Sequence, residues 1–110
     1  MLPVCDQTVT IYRKEDGKVL RWVVKGCYFQ YESAQSWEAY GENRQRPFQL
    51  ILRPCCKRPQ FGDRILPGIG PEEVVWEEFL PCTTEDLVEV AYVIPWYWDG
   101  QLHHVEAGRK

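Results

Sequence analysis

Apolar and polar positions alternate with a period of two along much of this chain, and turn signals cut the alternation into short strands. Thr8-Val9-Thr10-Ile11-Tyr12 is a β-branched run of the kind that fills strands. Glu15-Asp16-Gly17-Lys18 follows it, and Asp-Gly is a strong hairpin signal because both residues accept positive φ. Residues 19–24 form the returning strand, Gly26 marks a bulge or bend, and residues 27–31 continue extended. Over residues 47–53, Phe48, Leu50 and Leu52 share one face by alternation. Residues 61–66 read as a turn feeding a short strand. Residues 87–94 are the strongest strand pattern, and residues 102–107 are the last. Between those two, Pro95-Trp96-Tyr97-Trp98-Asp99-Gly100 reads as a turn rich in aromatics.

Two stretches depart from the strand pattern. Residues 72–80 predict one short helical turn: Pro71 and the acids after it suit a helix N-terminus. Trp76, Phe79 and Leu80 would then share a face at i, i+3, i+4, and Pro81 ends the turn. Residues 32–46 have no period and form a long loop, a length at which loops are usually functional or disordered. The whole predicts a mainly β fold: a small antiparallel β-barrel or sandwich of about six strands, with one short helix and a long loop. The expected core holds Leu50, Leu52, Val88, Val90 and Tyr92, with Trp22 or Val23 facing them.

A chain of 110 residues suits one core, so residues 1–110 are read as a single domain. The hydrophobic share of 45% is ordinary, whereas five Trp, six Tyr and four Phe are a surplus. Core packing is the first use for such aromatics, and interfaces are the second. On the second reading, Trp37 and Tyr40 in the long loop and Trp96 and Trp98 in the aromatic turn are interaction residues. Arg44 and Arg46 would add contacts to an acidic neighbour, and the loop would order on assembly.

A net charge of −3 removes the basic surplus that a general nucleic-acid binder needs. Arg44, Arg46, Arg53, Lys57 and Arg58 make a local basic stretch whose simplest reading is a solvated loop face. No run reaches the roughly 18–20 apolar residues of a membrane span. The first residues lack the basic start and apolar run of a signal peptide, which predicts a protein kept in the cytoplasm.

Candidate chemistry is thin. Five cysteines, at 5, 27, 55, 56 and 82, form no Cys-x-x-Cys pair, so reduced thiols and no metal are expected. His103 and His104 are adjacent in a strand and are expected to point to opposite faces. His104 and Glu106 would share a face, as a proton relay or, more simply, a satisfied histidine. Gly68-Ile69-Gly70-Pro71 is a turn, since its proline removes an N–H that a phosphate would use. No cysteine stands in a local pattern with a histidine, and the acid pairs Glu72-Glu73 and Glu77-Glu78 read as a solvated face. No catalytic residue, metal or cofactor is predicted, and the chain is not expected to be an enzyme.

Several segments together resemble small minor capsid or head–tail connector proteins, of the head-closure or stopper type, from tailed phages and prophages of Gram-positive bacteria. They are residues 8–12, Gly26-Cys27-Tyr28-Phe29, Gly62-Asp63-Arg64-Ile65, Gly68-Ile69-Gly70-Pro71, Trp76 with Phe79-Leu80-Pro81, and His104-Val105-Glu106-Ala107-Gly108. The resemblance implies a β-barrel that forms a homo-oligomeric ring in the virion neck beneath the portal. It implies no catalytic residues. Partners would be portal or adaptor and tail proteins, with nucleic acid met only as DNA in the channel. The protein would be made in the bacterial host cytoplasm and end in the virion. The alternative is a small β-barrel binding module for a peptide, carbohydrate or small ligand, with residues 96–98 as its platform.

Overall fold

Two Asp-Gly turns organise the chain into antiparallel hairpins. The computed structural model describes residues 5–32, 46–54 and 57–110. Asp16 (φ 53°) and Gly17 (φ 76°) join β1 (Gln7–Glu15) to β2 (Lys18–Tyr31). Asp99 (φ 51°) and Gly100 (φ 79°) join β6 (Tyr92–Trp98) to β7 (Gln101–Arg109) in the same way. Positive φ at both central residues gives the turn whose twist matches that of the flanking strands. Between the hairpins lie β3 (Phe48–Leu52), β4 (Arg64–Pro67) and β5 (Val88–Glu89).

The seven strands of the described residues belong to one curled antiparallel sheet, in the order β5-β4-β1-β2-β3-β7-β6. Strand β2 is the spine of the curl. Residues 18–27 pair with β1 and residues 28–31 with β3. At the junction Gln7 pairs with Cys27 and Thr8 with Lys25, so Gly26 (φ 74°) is an extra residue that bends the strand. The Gln7 side chain then does the work of another strand residue. Its Nε2 donates to the Phe29 carbonyl at 3.0 Å, and its Oε1 accepts the Phe29 N–H at 2.9 Å.

The first and last strands of that order are consecutive in the chain. Val90 donates to the Asp63 carbonyl on one side, and Ala91 donates to the Gly108 carbonyl on the other. The run expected as one strand over 87–94 is therefore broken at Val90-Ala91, where the backbone changes partners. Residues 95–98, expected in a turn, are in β6, and the turn itself is Asp99-Gly100.

The concave side holds the core. Leu50, Leu52, Val88 and Val90 are buried there with Val9, Ile11, Phe29 and Phe48, as the alternation predicted for the first four. Tyr92 is only half-buried, and Trp22 rather than Val23 packs against the cluster. Ile51 is buried as well, so β3 is apolar on both faces.

The expected helical turn is not a helix, and the described residues contain none. Residues 75–79 close one turn, in which the Phe79 N–H reaches the Val75 carbonyl at 2.9 Å. Beyond it the Leu80 N–H turns to Thr83 Oγ1 at 3.4 Å and Pro81 has no N–H to give, while Arg64 Nη1 donates to the Trp76 and Phe79 carbonyls at 2.6 and 2.7 Å. The Arg64 guanidinium also lies 3.7 Å from the Trp76 ring centroid. Phe79 packs edge-on to Tyr12 in a second cluster with Leu87.

A buried ion pair ties the loop before β4 to the sheet. Arg13 on β1 grips Asp63 with two hydrogen bonds, Nε to Oδ1 and Nη2 to Oδ2, each 2.8 Å. The same Nη2 donates to the Arg58 carbonyl, and Asp63 Oδ2 accepts the Gln60 N–H.

Candidate interaction surface

The β6–β7 hairpin outruns the sheet that carries it. Strand β3 ends at Leu52, which pairs with Val105, so residues 101–104 have no β3 neighbour. They and Trp96–Trp98 form a two-stranded finger with both faces in solvent, where alternation buries neither. Three consecutive aromatics are exposed as a result: Trp96 by 47%, Tyr97 by 60% and Trp98 by 77%.

The finger is stiffened at its base. Glu106 accepts the Tyr92 hydroxyl on Oε2 at 2.7 Å and the Trp96 indole N–H on Oε1 at 3.3 Å. Burial raises the Tyr92 pKa, and the hydrogen bond to Glu106 and its charge raise it further. Trp96 stacks on His104, with centroids 5.9 Å apart and planes 19° from parallel.

The two histidines do not point to opposite faces. Trp96 pairs with His104 and Tyr97 with Leu102, so His103 is an extra residue and β7 bulges there. The bulge brings the two rings edge to face at 5.2 Å, with the Nδ1 atoms 2.9 Å apart. His104 bonds His103 rather than Glu106, whose oxygens accept from Tyr92 and Trp96, so among the described residues neither the relay nor the simpler histidine–carboxylate pairing is seen. Trp96, Tyr97, Trp98, His103 and His104 line an open recess of about 290 Å³.

Burial pulls the His104 pKa below the usual imidazole value, the His103 charge lowers it further, and the Glu106 charge opposes both. The folded state therefore favours neutral His104. Its contribution to stability is present above the ordinary imidazole pKa of about 6.5 and is lost as pH falls through the lower folded value. Thermal melts on the acid side should show a shallower fall in midpoint for His104→Gln than for the wild-type chain. Parallel curves would remove His104 as the titrating group.

Of the other predicted interaction residues, Arg46 has a structural position. Its guanidinium lies 3.9 Å from the Tyr31 ring centroid and its Nη1 is 3.7 Å from Asp86 Oδ1. The Tyr31 hydroxyl donates to the Asp86 carbonyl at 2.8 Å. Burial and the Asp86 charge push the Tyr31 pKa up to about 12, against Arg46. Arg46 thus fastens the end of β2 to the residues before β5. Trp37, Tyr40 and Arg44 lie outside the described residues, as does most of the long loop. Two other basic residues gather on β2, with Lys57 Nζ 4.5 Å from the Trp22 ring and Arg53 over Gly26.

Trp96 and Trp98 are thus brought together on one projection, joined by Tyr97 and by His103 and His104, which the strand alternation had placed on opposite faces. Asp99-Gly100 was the available signal, the same dipeptide as the Asp16-Gly17 turn. No protein-family description, curated protein or solved structure matches the chain.

Proposed function

We propose that this protein is a structural subunit of a tailed-phage virion, a head-closure or head–tail connector protein that works through protein–protein contacts in the neck. The aromatic finger carries the reading. Three adjacent aromatics held out in water by a clamped hairpin cost solvation unless a partner covers them, and Trp and Tyr are the residues that anchor such contacts. On this reading the curled sheet, whose two edge strands follow one another through Val90-Ala91, is the body of a ring subunit. The finger meets a portal, adaptor or tail protein, and no catalysis is involved. The segment resemblance to minor capsid proteins supplies the virion context.

Tyr97→Ala with Trp98→Ala should leave the melting temperature within a few degrees, because both side chains are mostly exposed. In the phage or prophage that carries the gene, the same variant should reduce completed particles. Normal particle yield would remove the finger as the neck contact. A small-ligand binding module is the second reading, favoured by the recess beside Trp96. Wild-type yield together with saturable ligand quenching of tryptophan fluorescence would select it.

A further inference from the structure

We propose that this chain binds a second copy of itself head to tail, with the acidic segment 72–78 of one copy seated on the basic loop 57–61 of the next. A ring subunit must meet its own copies, and on that reading these are the two surfaces that do so.

The two surfaces lie on opposite faces of β1. Arg13 and Lys14 are neighbours in that strand, so their side chains leave it on opposite sides. Arg13, on the side of Trp22, holds the Arg58 carbonyl at 3.0 Å. Lys14, on the other side, reaches Glu77 at 3.5 Å, and Phe79 packs there against Tyr12. The charges are divided in the same way. Residues 72–80 carry four glutamates and no lysine or arginine, whereas residues 53–58 carry three cations and no acid. Glu72, Glu73, Glu78, Arg53, Lys57 and Arg58 are all exposed, and among the described residues none has an ion-pair partner. Each surface also exposes an apolar side chain: Val75 by 59% among the glutamates, and Phe61 by 76% in the loop that carries Lys57 and Arg58. An apolar centre rimmed by charge is the make-up of a protein interface, and opposite rims fix its register. Because the two surfaces face opposite ways, a pair of copies cannot satisfy both at once. The contact is therefore heterologous, and it repeats from copy to copy until the rotation closes a ring.

Sedimentation velocity of the intact chain tests this, under reducing conditions that exclude cross-linking through the exposed Cys82. At about 0.01 M ionic strength, where charges act over about 30 Å, the wild-type chain should form species larger than a dimer. Salt at about 1 M cuts that reach to about 3 Å and should shift them toward monomer. Glu73→Lys with Glu78→Lys, and separately Lys57→Glu with Arg58→Glu, should each weaken association more than about 100-fold, because like charges then face each other across the contact. Mixed in equal amounts, the two variants should reassociate, since every contact between unlike copies again pairs opposite charges. Circular dichroism and unchanged thermal midpoints would show that both fold. If either does not, glutamine at the same positions takes its place and should weaken association about 2- to 30-fold, the loss of two exposed pairs. A wild-type chain that stays monomeric at low salt, a folded reversal variant that associates like wild type, or folded reversal variants that fail to reassociate when mixed would each overturn the proposal. Association that follows the charges, with normal virion yield from both reversal variants, would uphold the contact and overturn the virion reading.

Discussion

Asp63→Ala should cost about 3–5 kcal/mol of folding stability, the range seen when one partner of a buried ion pair is removed. Arg13 is 8% exposed and Asp63 1%. The two hydrogen bonds of the pair, at 2.8 Å each, raise the Arg13 pKa chiefly through the bond to Asp63. Without the carboxylate, a guanidinium stays buried against Trp22 with only the Arg58 carbonyl and a 4.0 Å approach to Glu15. The Gln60 N–H loses its acceptor too. The loop before β4 would loosen, and with it the Asp63 carbonyl that takes the Val90 N–H where the two ends of the sheet meet. Urea unfolding measures the effect as a lower midpoint at constant slope. A loss below about 1 kcal/mol would show that the pair sits in a wetter place than its burial indicates. Replacing both partners by apolar residues of similar size should cost much less, because no unpaired charge remains.

Leu50→Ala should cost about 2–5 kcal/mol. Leu50 is fully buried at the centre of β3, paired with Phe29 on one side and Ala107 on the other. The cavity would open beneath Phe29 and Phe48, whose rings stack at 5.7 Å. Those rings are held by strands on both sides and can collapse little, which puts the cost toward the upper part of that range. Calorimetry or chemical unfolding checks it. A cost near that of an exposed substitution, about 0.5 kcal/mol, would mean that the core is packed around other residues.

Much of the sheet was legible in the sequence. Period-two alternation located β1, β3 and β7 to within a few residues, Asp16-Gly17 placed the first hairpin, and Gly26 was marked as a bend. These features are encoded locally, by which φ a residue tolerates and which face its side chain takes. Leu50, Leu52, Val88 and Val90 followed for the same reason, since an apolar face on a strand must find cover.

The remaining features depended on partners distant in the chain. Residues 72–80 carry local helix signals, yet they close a single turn, and Arg64, reaching from β4, satisfies the Trp76 and Phe79 carbonyls. Residues 87–94 read as one strand, but the curl of the sheet makes Val90-Ala91 pass from one edge to the other. Residues 96–98 are exposed because β3 stops at Leu52 while β6 and β7 continue, and the length of one strand is not written in another. The His103 bulge is a matter of register against β6, and it reversed the expectation for the histidine pair. The sequence by itself determined strand chemistry, the first hairpin turn and the residues that need burial. Only the tertiary structure decided which strand ends lie uncovered and which neighbouring side chains share a face, because both are differences between strands that meet only in the folded sheet.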